Sequence, residues 1–323
     1  MKKHRVFYFS YAPENVYEIV REEVPEGFEL VTLDSDSDEE RRAKIADSEV
    51  VIVAAKPMAK EFIEAAPKLK LIHHQGVGYQ DTVDVEALRR RGIALALTPA
   101  GTTIGVAEHT VLLTLAVCKR LPFADRELRN GRWHINSLRP YSIELCGRTI
   151  GYVGMGRIAR EVALRFKAFG TKGIYYDRYV KLPEEEEKEL ALRRLDFDEL
   201  LKTADVVTLH VPATKETYHL IDSEAFHKMK RAAILINTSR GSIVDEAALC
   251  EALKDGVIAG AGLDVFEVEP FQPSNPLAAM DNVVLTPHIS AGTRDALKAK
   301  MKALFENVVR FFNGEEIENQ VPL

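Results

Sequence analysis

Gly151-Tyr152-Val153-Gly154-Met155-Gly156-Arg157-Ile158-Ala159 decides how the rest of the chain is read. Thr149–Val153 has the apolar character of a strand, and Ile158, Val162, Phe166 and Phe169 beyond the turn lie near one face of a helix. Glycines at 154 and 156 with alanine at 159, set between strand and helix, form a dinucleotide-binding fingerprint. Gly154 allows the tight turn, Gly156 the approach of a pyrophosphate, and Ala159 close helix-to-strand packing. The turn and helix start, Gly154, Met155, Gly156, Arg157 and Ile158, then offer unpaired N–H groups and the helix dipole to the phosphates. The glycines alone would equally suit a plain βα turn. Asp177, 21 residues after Gly156, adds the carboxylate that accepts bonds from ribose hydroxyls and repels a 2′-phosphate. NAD is therefore expected over NADP, with a reservation at Arg178, since an arginine there can accommodate a 2′-phosphate.

Around this turn the chain alternates strand-like and helical stretches. Downstream, strand-like runs fall at Thr149–Val153, Gly173–Tyr176, Val206–His210, Ala233–Asn237, Ile258–Leu263 and Val283–Leu285, with helical stretches at Asp222–Met229 and Glu246–Lys254 among them. Upstream, Arg5–Ser10, Phe28–Leu33, Val50–Ala54, Leu69–His73 and Ile93–Leu97 read as strands, and Ala12–Val24, Glu39–Asp47, Ala59–Ala66 and Val83–Arg91 as helices. Alternation of this kind predicts parallel sheets covered by helices, an α/β fold. Thr103–Leu121 is helical and apolar on nearly every face, so it is expected to be buried, and Ala296–Phe312 has helical periodicity again. Glu184-Glu185-Glu186-Glu187 after Pro183 reads as a solvated helix start rather than a metal site.

At 323 residues, 46% hydrophobic and 28% charged, the chain is long enough for two globular domains. A net charge of −6 gives no electrostatic footprint for nucleic acid or an anionic membrane, so neither partner is expected. The N-terminal apolar run Val6–Phe9 is too short for a signal sequence or a membrane span, which places the protein in the cytoplasm. Cys118, Cys146 and Cys250 are widely separated and lack C-x-x-C spacing, so no disulfide framework and no metal site is expected.

Three segments follow strand-like runs: Asn237-Thr238-Ser239-Arg240-Gly241, Asp264-Val265-Phe266-Glu267-Val268-Glu269-Pro270 and Thr286-Pro287-His288-Ile289-Ser290-Ala291. Loops at the carboxyl ends of parallel strands converge on the ligand crevice. An arginine, a carboxylate and a histidine meeting there suit hydride transfer on a 2-oxo acid. The guanidinium pairs bidentately with the substrate carboxylate, and the imidazole, oriented by a carboxylate, handles the hydroxyl proton.

The sequence resembles the D-isomer-specific 2-hydroxyacid dehydrogenases nearly end to end. The resemblance is carried by Gly76-Val77-Gly78, Val106-Ala107-Glu108-His109-Thr110, the glycine turn, His210-Val211-Pro212, the Arg240 segment with Ile243-Val244-Asp245-Glu246, and the Glu269 and His288 segments. It implies that Arg240 and the backbone of Gly76, Val77 and Gly78 bind the substrate carboxylate, with His288 as acid/base and Glu269 as its partner. Glu269 is chosen over Glu267 because it precedes Pro270. The cofactor contacts expected are the glycine turn, Asp177, His210, Pro212, Thr217, Thr238, Ser239, Asp264, Ser290 and Ala291, with Thr238 and Asp264 on the nicotinamide half. His73, His74, His210 and His219 otherwise read as structural, His74 lying beside the substrate loop. The family fold implies a flavodoxin-like substrate domain (residues 1–101 and 291–323), an inserted Rossmann domain (102–290) and a homodimer built on the long helix and the arm after it. The loop Gly78–Asp84 is one residue longer than usual in the family. An NAD-sensing corepressor of the same fold, formate dehydrogenase and a non-catalytic scaffold are the rival readings.

Overall fold

The computed structural model describes residues 3–54, 56–80 and 82–323. Met1, Lys2 and Asp81, on which the readings of the N-terminus and of the lengthened loop partly rest, lie outside them. The chain divides into two compact units, Met1–Thr102 with Thr293–Leu323, and Thr103–Gly292. The division falls one residue later than expected at the first crossover and two later at the second.

In the first unit, strands β1 (His4–Tyr8), β2 (Phe28–Val31), β3 (Val50–Val53), β4 (Leu71–His74) and β5 (Ala94–Leu97) form a parallel sheet in the order β2-β1-β3-β4-β5. Val50–Val53 and Leu71–His74 are buried at every position, as strands covered on both faces must be. The helix Arg294–Asn313 returns to this unit, and Met301, Leu304, Phe305 and Val308 join Val6, Tyr8, Tyr17 and Val20 in one core cluster.

In the second unit, β6 (Thr149–Val153), β7 (Lys172–Tyr176), β8 (Leu192–Arg194), β9 (Val206–Leu209), β10 (Ile234–Asn237), β11 (Gly260–Leu263) and β12 (Val283–Leu285) are all parallel, in the order β12-β11-β10-β9-β6-β7-β8. The chain runs outward from β6 through β8, then restarts on the other side at β9. The neighbours β6 and β9 therefore flank the point where strand order reverses, which is where an open α/β sheet leaves a ligand crevice.

Two elements differ from the sequence reading. The edge strand β8 buries only Leu192, so neither an apolar run nor an alternation marked it. The helix expected over Thr103–Leu121 is Thr102–Cys118, followed by a separate helix Leu121–Arg129; Arg120 takes a left-handed conformation (φ +49°) between them and Pro122 opens the second. Burial of the long helix is one-sided. Leu113 and Val117 pack where Gly260 and Gly262 of β11 leave no side chain, an ideal Cβ on Gly262 falling 3.1 Å from Leu113 Cβ. Ile104 and Leu112, by contrast, stand exposed.

Candidate active site

The glycine turn closes against the switch point. Gly154 has φ +93°, a conformation that costs a side-chain-bearing residue energy, and an ideal Cβ there would lie 2.7 Å from the His210 carbonyl oxygen. Its N–H donates to the Tyr176 carbonyl at 2.8 Å. Gly156 caps the helix Arg157–Ala168, and a Cβ on it would meet nothing within 4 Å, so the helix start faces open space with its first N–H groups lacking intrahelical acceptors. Met155 is fully buried and contributes backbone only, Arg157 is exposed, and Ile158 is half-buried. These features fit a pyrophosphate: a tight turn, open space above Gly156 and a positive helix end.

Asp177, just beyond β7, is half-buried. Its Oδ2 accepts the Met155 N–H and its Oδ1 those of Tyr179 and Val180, each at 2.8 Å. The carboxylate is thereby fixed beside the glycine turn. Arg178 is exposed, its guanidinium 5.7 Å from the centre of the Tyr179 ring. At the end of β9, His210 Nε2 lies 3.0 Å from Thr208 Oγ1. Thr217 Oγ1 donates to the Pro212 carbonyl at 2.6 Å and accepts the Thr214 N–H at 2.8 Å, closing the loop after His210.

After β10, Ser239 Oγ donates to the Leu209 carbonyl at 2.5 Å, and Thr238 Oγ1 lies 3.0 Å from Thr110 Oγ1 of the long helix. Arg240 follows, half-buried, with Nη1 donating to the Ser239 carbonyl at 2.9 Å. Gly241 makes the next approach possible: an ideal Cβ on it would fall 1.9 Å from the Phe266 carbonyl carbon and oxygen. The Arg240 loop thus lies directly against the loop that carries the carboxylates.

Glu269, the acid before proline, meets the histidine. His288 Nδ1 lies 2.8 Å from Glu269 Oε2, and the Phe266 N–H donates to Oε1 at 3.0 Å. Glu267 turns the other way and pairs with His219 Nε2. The choice between the two acids is therefore a matter of loop direction, with one His–carboxylate pair on each side. Partial burial pushes the Glu269 carboxyl up, but bonds from His288 and the Phe266 amide, with the charges of His288 and Arg240, outweigh it and hold it below its ordinary value. Gly241, next to Arg240, abuts the Phe266 backbone whose amide holds Glu269, so the three groups lie on neighbouring loops. His288 and Glu269 remain accessible, with side-chain exposures of 45% and 37%.

The loop carrying His288 is held from beneath by Asp264, whose exposure is 0%. Its Oδ1 accepts the Thr286 hydroxyl at 2.6 Å and the Ile289 N–H at 2.9 Å; its Oδ2 accepts the Ser290 N–H at 2.8 Å. His288 N–H donates to the Asp264 carbonyl, also at 2.8 Å, and His288 itself sits at φ +53°. Burial pushes the Asp264 carboxyl up, while its bonds with His109, Thr286, Ile289 and Ser290 prevail and bring it down from 3.8 to about 2. Sequence reading singled out Asp264, Ser290 and Ala291 as cofactor contacts; the structure places Asp264 and Ser290 below the loop surface, where they shape it. No role for His109, Thr110 or Thr286 is legible in the sequence beyond the place of His109 as one of the few charged or ionisable residues on a mostly apolar helix.

In the first unit, Gly76, Val77 and Gly78 follow β4. Gln75 N–H donates to the Val53 carbonyl at 2.8 Å, and the Gly76 carbonyl accepts the Thr98 N–H at 3.1 Å. His74 Nε2 lies 2.9 Å from Thr82 Oγ1, on the far side of the same loop. Among the described residues no cluster of His, Cys, Asp and Glu is arranged to hold a metal ion, and no helix is long and apolar enough to cross a membrane.

Residues 111–290 match the family model described as D-isomer specific 2-hydroxyacid dehydrogenase, NAD binding domain. The chain is 42% identical over 298 residues to D-3-phosphoglycerate dehydrogenase of Archaeoglobus fulgidus, covering 92% of this chain but only 56% of that protein. It is 43% identical over 282 residues to glyoxylate reductase of Korarchaeum cryptofilum, covering 87% of this chain and 84% of that one. The crystal structure of an NADPH-dependent glyoxylate/hydroxypyruvate reductase from Sinorhizobium meliloti aligns with a TM-score of 0.84 at 32% identity over 99% of this chain and 98% of that one. These relatives are named as reductases and dehydrogenases, and the corepressor reading finds no support among them.

Because folding lowers the Asp264 pKa, the folded protein binds fewer protons than the unfolded chain between about 3.8 and about 2. The stabilisation is complete above that window and is lost as pH falls through it. Urea unfolding of wild type and Asp264→Asn should show a stability gap on the order of 2 kcal/mol near neutrality that closes as the pH falls from about 4 toward 2. A gap that stays constant across that window would contradict the role assigned to the carboxylate.

Proposed function

The chain belongs to the D-isomer specific 2-hydroxyacid dehydrogenases, and we propose that it is an NAD-dependent 2-oxoacid reductase and D-2-hydroxyacid dehydrogenase. The observation that carries this reading is the 2.8 Å contact between His288 Nδ1 and Glu269 Oε2, with the charge of Arg240 acting on the same carboxylate. With Nδ1–H donated to Glu269, Nε2 is the nitrogen left to exchange a proton with substrate. In the reducing direction the protonated Nε2 gives its proton to the carbonyl oxygen of the 2-oxo acid, and Glu269 stabilises the imidazolium beforehand. In the oxidising direction neutral Nε2 takes the hydroxyl proton. Arg240 holds the substrate carboxylate with its planar fork and polarises the carbonyl beside it. The nicotinamide, when bound, supplies or accepts the hydride at its C4.

The glycine turn and the start of helix Arg157–Ala168 are the proposed pyrophosphate site, and Asp177 the proposed ribose acceptor, which favours NAD. His210, Pro212, Thr217, Thr238, Ser239 and Ala291 complete the proposed cofactor contacts, while Asp264 and Ser290 act through the loop they brace. Assignment of the Gly76, Val77 and Gly78 amides to the substrate carboxylate rests on the family resemblance. A homodimer is proposed as well, supported by the large apolar side chains Leu112, Leu121, Leu128, Trp133, Ile135 and Tyr141, which stand exposed on the long helix and the arm after it.

Hydroxypyruvate, glyoxylate, pyruvate and phosphohydroxypyruvate, each assayed with NADH, test the reading directly. His288→Ala should abolish turnover of the preferred acid while NADH affinity, followed by fluorescence, stays within about twofold; retained turnover would sink the acid/base role. Arg240→Lys should raise KM by about tenfold or more with a smaller change in kcat, because a point charge replaces a bidentate fork. Asp177→Ala should bring kcat/KM for NADH and NADPH closer together, and an unchanged ratio would remove Asp177 from the ribose site.

A further inference from the structure

Adjacent residues of the helix Thr102–Cys118 reach the two loops that carry Arg240 and His288. Thr110 Oγ1 donates its one proton to the Val106 carbonyl at 2.8 Å, so it accepts from Thr238 Oγ1, 3.0 Å away, at the root of the Arg240 loop. His109 Nε2 lies 2.9 Å from Thr286 Oγ1, at the root of the His288 loop. Counting protons fixes the direction of this second contact. Thr286 has one hydroxyl proton, and the ionised Asp264 Oδ1 at 2.6 Å, which can only accept, takes it. Thr286 Oγ1 must then accept from His109, which selects the Nε2–H tautomer of the neutral ring and is equally served by the charged ring. The result is a directed chain from His109 Nε2–H through the Thr286 hydroxyl to Asp264 Oδ1, with the N–H groups of Ile289 and Ser290 donating to the same carboxylate. The His109 side chain is only 10% exposed, and its Nε2 is 3.4 Å from Asp264 Oδ1, close enough to support that oxygen directly as well.

We propose that His109 is a positioning residue for the reaction: through Thr286 it fixes the Asp264 carboxylate, and through that carboxylate it holds the backbone on which His288 presents its ring to the substrate. The effect on turnover rests on the reading of His288 as acid/base; the effect on the loop does not. His288 sits in a left-handed backbone conformation that a non-glycine residue keeps only when its surroundings dictate it. Asp264 supplies that dictation, accepting bonds from residues on both sides of His288. Without the His109 donor, Thr286 Oγ1 keeps only its bond to Asp264, and the buried carboxylate loses both the donor that polarises that hydroxyl and the direct support of Nε2 at 3.4 Å. Glutamine carries an N–H at a reach similar to that of the histidine Nε2 and keeps the chain intact, whereas leucine fills the volume and breaks it.

The test compares wild type with His109→Gln, His109→Leu, Thr286→Val and the double variant His109→Leu/Thr286→Val, using the full chain. Two readouts are taken: amide hydrogen–deuterium exchange over residues 286–292 in the protein alone, and steady-state reduction of hydroxypyruvate by NADH. His109→Leu and Thr286→Val are each expected to speed exchange at Ile289 and Ser290 and to lower kcat by about 10- to 100-fold, the scale of a small misplacement of a reacting group. KM and NADH affinity should stay within about threefold. The double variant should be no worse than either single one, since both cut the same chain, and His109→Gln should recover most of both losses. Unchanged exchange and kcat in His109→Leu, additive losses in the double variant, or a His109→Gln as impaired as His109→Leu would each overturn the proposal. If wild type reduces none of the 2-oxo acids, the functional reading fails, and the exchange data alone decide whether His109 holds the loop.

Discussion

A carboxylate with no exposure to solvent organises the loop of the second unit that carries His288. Burying the Asp264 charge costs several kcal/mol unless every lone pair finds a donor, and, His109 apart, the donors available are those of the segment that follows β12. Meeting them bends that segment over Asp264 and gives His288 its left-handed backbone. Once there, the imidazole Nδ1 falls within 2.8 Å of Glu269, whose other oxygen is tied to the Phe266 amide. The same loop is pressed on its far side by Gly241, where the absence of a side chain lets the Arg240 segment touch the Phe266 carbonyl. Charge burial on one side and backbone contact on the other thus place an arginine, a glutamate and a histidine on adjoining loops that follow three neighbouring strands.

The cofactor half of the site follows from topology. Reversal of strand order between β6 and β9 opens a crevice, and Gly154 fills the switch point so tightly that a Cβ would collide with the His210 carbonyl. Asp177, three of whose bonds go to backbone amides, locks the end of β7 to the turn. The small residues of β11 serve packing rather than chemistry: Gly260 and Gly262 let the long helix settle onto the sheet, which brings His109 and Thr110 beneath the two reactive loops.

Much of this was legible in the sequence because it rests on local rules. The glycine turn, the acid at the end of the next strand, the parallel α/β alternation and the family resemblance each have a short-range signature. What escaped notice lacks one. β8 is an edge strand with a single buried side chain, so no periodicity announces it. The break at Arg120 depends on one backbone angle ahead of Pro122 and interrupts a pattern that otherwise reads as continuous helix. Glu269 is marked in the sequence by its place before Pro270, but the pairing of Glu267 with His219 on the other side of the loop is not. The roles of His109 and Thr286 depend on partners 155 or more positions away across the fold for the one and on a count of hydroxyl protons for the other, information that spacing does not carry.

We propose that this chain passes a hydride between nicotinamide C4 and C2 of a 2-oxo acid at a site built by Arg240, Glu269 and His288. The most direct measurement is mass spectrometry of the product formed from hydroxypyruvate or glyoxylate with NADH carrying deuterium at both C4 positions, together with chiral separation where the product has a stereocentre. Hydride transfer at this site requires one deuterium at C2 and, from hydroxypyruvate, the D-configured product. Product without deuterium, or of the L configuration, would contradict it.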